Sequence, residues 1–139
     1  TLSSADQPGH GNFIINLISP NDWRSSSNNN LWQGLNGINN PCPNGYRIPT
    51  EAELNAERLS WISNDAAGAF ASPLKWPVAG SRNRNGSLDS SSKGYYWSST
   101  ISGLDARSLR ILGPSQASGI YGGMVPNRGA GFSVRCIKN

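Results

Sequence analysis

Two cysteines, Cys42 and Cys136, constrain this chain more than any other feature, because a bond between them would close a loop of about 95 residues. Two thiols alone do not complete a tetrahedral metal site. His10, the single histidine, stands in a polar N-terminal stretch far from both in sequence. The pair therefore reads as a disulfide, and closing so long a loop would stabilise the fold by about 4 to 5 kcal/mol in chain-entropy arithmetic, less any strain. The competing reading is two buried free thiols in a reducing compartment, since cysteine is often buried without a partner. At 139 residues the chain has the length of one domain. Only 14% of its residues are charged, Gly, Ser, Asn and Pro are abundant, and there are five Trp. That balance describes a loop-rich globular domain with a packed interior. No apolar run approaches the roughly 20 residues that span a bilayer, so direct membrane insertion is not expected.

The net charge of +4 conceals a division. Residues 1–74 hold three basic residues against six acids, whereas residues 75–139 hold nine against Asp89 and Asp105. A C-terminal half this basic fits a polyanionic partner as well as it fits a surface that merely keeps the protein soluble. Arg82, Arg84, Lys93, Arg107, Arg110 and Arg128 are the candidate ligand-binding cations, with Tyr121 adding contact area. Guanidinium forks match the oxygen spacing of sulfate, phosphate and carboxylate groups. Nucleic acid would suit the charge but not a disulfide-bonded domain.

Read along the chain, residues 1–11 are small and polar, with Pro8 and Gly9, and read as an arm or linker remnant; residues 12–139 form the domain. Phe13 to Ile18 reads as a buried first strand, and residues 22–40 permit no firm assignment beyond Trp23, Leu31 and Trp32 as anchors. Thr50 and Glu53 form a capping box for a helix running to about Ile62, with Leu54, Trp61 and Ile62 on one face. Glu53 and Glu57 share a face of that helix but read as ordinary helix carboxylates. A loop follows through Asn64, Gly68 and Pro73. Asn85-Gly86 marks a hairpin whose arms include Ser81-Arg82 and Leu88-Asp89. Tyr95 to Thr100 and Arg107 to Leu112 read as strands, the second with Leu109 and Ile111 on one face and Ser108 and Arg110 on the other. Gly113 to Gly131 is a long irregular stretch, and Gly131 to Ile137 is the closing strand. An early helix followed by short strands is an α+β order.

No catalytic constellation stands out. A Ser-His-Asp arrangement would need His10 as its base, and no Gly-rich segment leads into Lys-Ser or Lys-Thr at phosphate-loop spacing. With two acids in the last 65 residues, a high-coordination calcium site there is not expected, and no metal or other cofactor is assigned.

Three segments carry a resemblance when taken together: Cys42-Pro43-Asn44-Gly45-Tyr46-Arg47-Ile48-Pro49-Thr50-Glu51-Ala52-Glu53-Leu54, Tyr95-Tyr96-Trp97-Ser98-Ser99-Thr100, and Gly131-Phe132-Ser133-Val134-Arg135-Cys136. Over residues 12–139 the chain resembles the FISUMP-type group, a branch of the C-type-lectin-like fold similar in backbone to formylglycine-generating enzymes. The resemblance implies an α+β lectin-like domain whose first and last strands pair and whose setting is extracellular. It also places Arg47 and Arg135 in the framework rather than in a ligand site. The reactive cysteine pair of the enzyme branch is not expected here, because Cys42 and Cys136 look structural. The Glu-Pro-Asn or Gln-Pro-Asp run of calcium-dependent lectins is missing too. The implied function is non-catalytic: the head of a collagen-stalked, homotrimeric adhesin that binds sulfated or otherwise anionic polysaccharides such as glycosaminoglycans through its basic C-terminal face. The alternative within the group is a retroelement-diversified receptor or phage-type tropism protein, with variable positions between Thr100 and Gly131 and a protein or other surface ligand.

Overall fold

The computed structural model describes residues 1–90, 92–113 and 127–139, and the backbone of residues 119–121. Its elements run β1 (Tyr46–Arg47), α1 (Glu51–Leu59), α2 (Ala66–Ala71), β2 (Ser81–Arg82), β3 (Leu88–Asp89), β4 (Gly94–Ser102), β5 (Asp105–Ile111), β6 (Gly119–Tyr121) and β7 (Ile137–Lys138). The strands pair as β1 with β7, β2 with β3, and β4-β5-β6, all antiparallel. This is the α+β class. No helix among the described residues is long and apolar enough to cross a membrane.

The capping box holds α1 as its sequence requires. Thr50 Oγ1 accepts from Glu53 N at 3.3 Å, and Glu53 Oε2 accepts from Thr50 N at 2.8 Å. The same carboxylate takes two parallel bonds from Arg47, at 2.8 and 2.7 Å, so a fork on β1 grips the first turn of α1. These contacts, the Arg47 bonds foremost, hold the Glu53 carboxyl at about 2 against an ordinary 4.5. A folded-state value below the unfolded one means that Glu53 stabilises the fold fully above about pH 4.5 and loses that contribution as pH falls through about 2. Glu53→Gln should therefore melt below the wild type at pH 6, with the gap closing between pH 4.5 and 2. A gap independent of pH in thermal melts would refute this.

Helix α1 ends at Leu59, short of the expected Ile62. Leu54 and Trp61 are buried, but Ile62 is 87% exposed, because the chain leaves helical register after Ser60. The expected loop beyond it contains α2, capped by Asp65, whose carboxylate accepts from Gly68 N at 2.8 Å. Gly68 is obligatory there, since a Cβ would lie 1.9 Å from Ser63 O. Trp61 and Leu54 join Ala69, Trp76, Tyr96, Leu109 and Ile111 in the core, with the Trp76 and Tyr96 rings edge to face at 4.8 Å. The alternation of β5 is as expected for Leu109 and Ile111. Ser108, on the other face, is buried as well, because the aromatic residues of β4 and the 131–133 segment cover that side.

Two expectations are corrected. Phe13 to Ile18 is not a buried strand. It pairs with no strand, and Ile15, Leu17 and Ile18 are exposed, Ile18 by 79%. The pairing of first and last strands falls instead to β1 and β7. At the start of the chain, Ser3 exchanges backbone bonds with Trp23 and Ser25, and Asp6 pairs with Arg24 and accepts from Asn28. The closing segment is a strand only at Ile137–Lys138, and Gly131 and Ser133 make isolated bridges before it. Of the long stretch from Gly113 to Gly131, residues 114–118 and 122–126 lie outside the described residues, while β6 pairs with β5 through Ser108–Tyr121, Leu109–Ile120 and Arg110–Gly119.

Cys42 and Cys136 form a disulfide, with Cα atoms 5.8 Å apart. It lies beside the β1–β7 pair, where Arg47 Nε also donates to Asn139 Oδ1 at 3.2 Å. Middle and end of the chain are thus fastened at one place by a covalent bond, a ladder and a side-chain bond.

Candidate functional site: a groove flanked by basic residues

The β2–β3 hairpin forms as its Asn-Gly signal requires. Gly86 takes φ 86°, open to glycine, Gly86 N donates to Asn83 O, and Asn83 N donates to Ser87 O, both at 2.8 Å. Its register pairs Ser81 with Asp89 and Arg82 with Leu88. The opposite edge of β2 is taken by a distant segment: Arg82 and Gly131 exchange backbone bonds of 2.8 Å in both directions. Gly131 has no side chain to hold this approach apart, since a Cβ would come within 3.1 Å of Arg82 Cβ and 3.2 Å of the Phe13 ring.

The next residues attach the hairpin to the main sheet. Phe132 stacks on Tyr95 at 4.9 Å and on Trp97 at 4.3 Å, while Ser133 bonds to both Tyr95 and Trp97 through its backbone. Between hairpin and sheet lies an open groove of about 310 Å³, lined by Gly80, Ser81, Leu88, Asp89, Gly131 and Phe132 among others. Its volume is at the lower end of the range for ligand sites, about 300 to 1,000 Å³.

None of the six candidate cations is among the described residues that line this groove, but Arg82, Lys93 and Arg110 each adjoin a lining residue or a ring packed on one. Arg82 lies on its wall strand, with its guanidinium 5.2 Å from the Phe13 ring centre and Nη1 donating to Gly86 O at 3.3 Å. Arg84 follows on the turn side, its Cβ beside Gly129. Lys93 is joined to the lining through its carbonyl, which accepts from Gly80 N at 2.8 Å. The Arg110 guanidinium sits 5.7 Å over the Tyr95 ring, itself stacked on Phe132 of the lining. The side chains of Arg84 and Lys93 make no hydrogen bond or ion pair among the described residues. Among the described residues, Asp89 is the one acid of the groove wall.

The remaining candidates are elsewhere. Arg107 points to the helix side of the sheet, Nε 3.5 Å from Glu51 Oε2. Arg128 turns inward, Nη1 3.7 Å from Asp22 Oδ2, with the two side chains only 9% and 3% exposed. The Asp22 carboxylate, from the acidic N-terminal half, draws it off the surface. Tyr121 lies in β6 opposite Ser108, and its side chain is outside the described residues. Arg47 and Arg135 are framework residues, the second with its guanidinium 5.1 Å from the Trp76 ring.

Sequence reasoning missed the aromatic floor. Tyr95 and Phe132 were assigned to strands, yet strict alternation along β4 separates Tyr95 and Trp97 from the core-facing Tyr96 and would have placed them on the second face. It also missed Glu57, whose Oε1 accepts from Trp61 Nε1 and Trp76 Nε1 at 3.0 Å and from Ser72 Oγ at 2.5 Å. Burial alone would raise this carboxyl, but these three bonds and nearby Arg135 hold it below its ordinary value. It is a structural acceptor for two indoles rather than an acid or base.

His10 accepts from Asn12 N in an exposed turn, and no group of three or more His, Cys, Asp or Glu side chains among the described residues is arranged to hold a metal ion. Guanidinium groups lie against aromatic rings near the groove, Arg82 on Phe13 and Arg110 on Tyr95, an arrangement that attracts oxyanions and stacks rings. No family model, curated protein or solved structure matches this chain.

Proposed function

We propose that this protein is a non-catalytic adhesin domain of the C-type-lectin-like fold, in the FISUMP-type branch, that works outside the cell and binds sulfated or otherwise anionic polysaccharide along the groove between the β2–β3 hairpin and the main sheet. The observation that supports this reading is that Arg82, Lys93 and Arg110 adjoin residues that line one groove or pack on its Phe132 ring, with Arg84 two positions beyond Arg82. A polymer bearing repeated sulfate or carboxylate groups meets several of these cations at once, and its sugar faces can lie on the ring below. The disulfide suits an oxidising exterior. A closed homotrimer would set three such grooves around one axis, so that one chain of polymer engages more than one of them.

Arg84 and Lys93 are the residues on which to test it. Arg82 is less suitable, because its reversal would also remove the Phe13 contact and a hairpin bond. The double variant Arg84→Glu/Lys93→Glu should weaken binding to heparin-like chains by roughly tenfold to a hundredfold while moving the melting temperature little, since both side chains, though half-buried, make no side-chain hydrogen bond or ion pair among the described residues. Unchanged affinity in calorimetry would remove the groove from the account.

A further inference from the structure

A second, smaller hollow lies on the same face of the main sheet, away from the groove. Its walls are largely apolar: Trp23, Leu31 and Trp32 from the turn-rich N-terminal segment close over Trp97 and Ile101 of β4, and Arg128 lines it as well. It has about 50 Å³ of space. About 10 to 15 Å³ accommodates one water, so the hollow takes a group of about four heavy atoms and not a sugar ring.

Its polar partner is unusual. The Arg128 side chain is 9% exposed, and its Nη2 donates to Gly103 O at 3.3 Å and to Asn29 Oδ1. Among the described residues, Nε and Nη1 are buried without a hydrogen bond, as is the facing carboxylate oxygen, Asp22 Oδ2, 3.7 Å from Nη1. Asp22 neutralises the charge but does not take these donors. A site like this favours a neutral acceptor. A carbonyl oxygen can receive the unused N–H groups, whereas an added sulfate or carboxylate would be repelled by the buried Asp22. The backbone of Trp32 adds a further sign of use: at φ 63° it lies in the left-handed region that a bulky residue seldom occupies, and such strain is concentrated at binding sites.

We propose that this hollow is a subsite for the acetamido group of an N-acetylated sugar, with the methyl against the indoles and the carbonyl accepting from Arg128. The inference shares with the reading above only that the ligand is a saccharide. It does not depend on the basic groove.

The test is a titration of the full chain with methyl glycosides of N-acetylglucosamine, glucosamine and glucuronate, followed through the indole N–H resonances of Trp23, Trp32 and Trp97. Saturable shifts with the acetylated sugar alone, at a Kd on the order of 1 to 10 mM, are expected for a contact of this size. Ile101→Phe, which fills the hollow, should weaken this binding at least about tenfold while heparin affinity stays as in the wild type. Unchanged heparin binding in Arg84→Glu/Lys93→Glu with the acetamido shifts retained would overturn the groove reading but not this one. Equal shifts with glucosamine, stronger shifts with glucuronate, or no saturable shift, as for a hollow holding water only, would overturn the subsite. The wild-type titration decides even if Ile101→Phe does not fold.

Discussion

Replacing Cys42 and Cys136 together by Ser should lower the melting temperature by about 15 °C. The bond spans a sequence separation of 94, and releasing a loop of that size gives the unfolded chain about 4 to 5 kcal/mol of conformational freedom. With an unfolding entropy of about 2.1 cal/mol/K per residue, that energy corresponds to the stated shift for a chain of this length. The native state loses little by comparison, because β1 and β7 still pair and Arg47 still bonds to Asn139. Thermal melts of the double variant against the wild type, both unreduced, provide the check. A shift below about 3 °C would mean that the unfolded chain is already restrained at this place.

Glu57→Ala should cost about 3 to 5 kcal/mol, because it leaves two indole N–H groups and a hydroxyl without their acceptor among side chains that are all buried. Glu57→Gln keeps an acceptor oxygen in place and should cost about 1 to 2 kcal/mol, the loss arising from the weaker, uncharged bonds. Urea unfolding of the two variants separates acceptor from charge. Were Glu57 the ordinary exposed helix carboxylate that its sequence position suggests, the alanine change would stay within about 0.5 kcal/mol.

The contrast at Glu57 shows where sequence is informative. The Thr50 capping box, the Asn85-Gly86 turn and the two long strands were legible because each is decided by residues a few positions apart. Phe13 to Ile18 has the composition of a strand but no neighbouring edge to pair with, and pairing is a property of the whole fold. Helix α2 was hidden by its length of 6 residues and by Gly68, which reads as a breaker until Ser63 O is seen pressed against it. For the groove, sequence supplied the cations but not their arrangement. Arg107 and Arg128 look the same in the chain as Arg84, yet Glu51 holds one on the far side of the sheet and Asp22 draws the other inward. The junction of Arg82 with Gly131, which creates the groove wall, joins residues too distant for any local pattern to connect.

If anionic polymer binds through several cations near one groove, heparin affinity depends steeply on salt. Four contacts at Arg82, Arg84, Lys93 and Arg110 would release counterions on binding, so the logarithm of the association constant should fall against the logarithm of salt concentration with a slope of about −3, by the physics established for phosphate backbones. The slope should be the same with and without a chelator, and uncharged dextran should not bind. A flat salt response, or binding abolished by the chelator, would contradict the account.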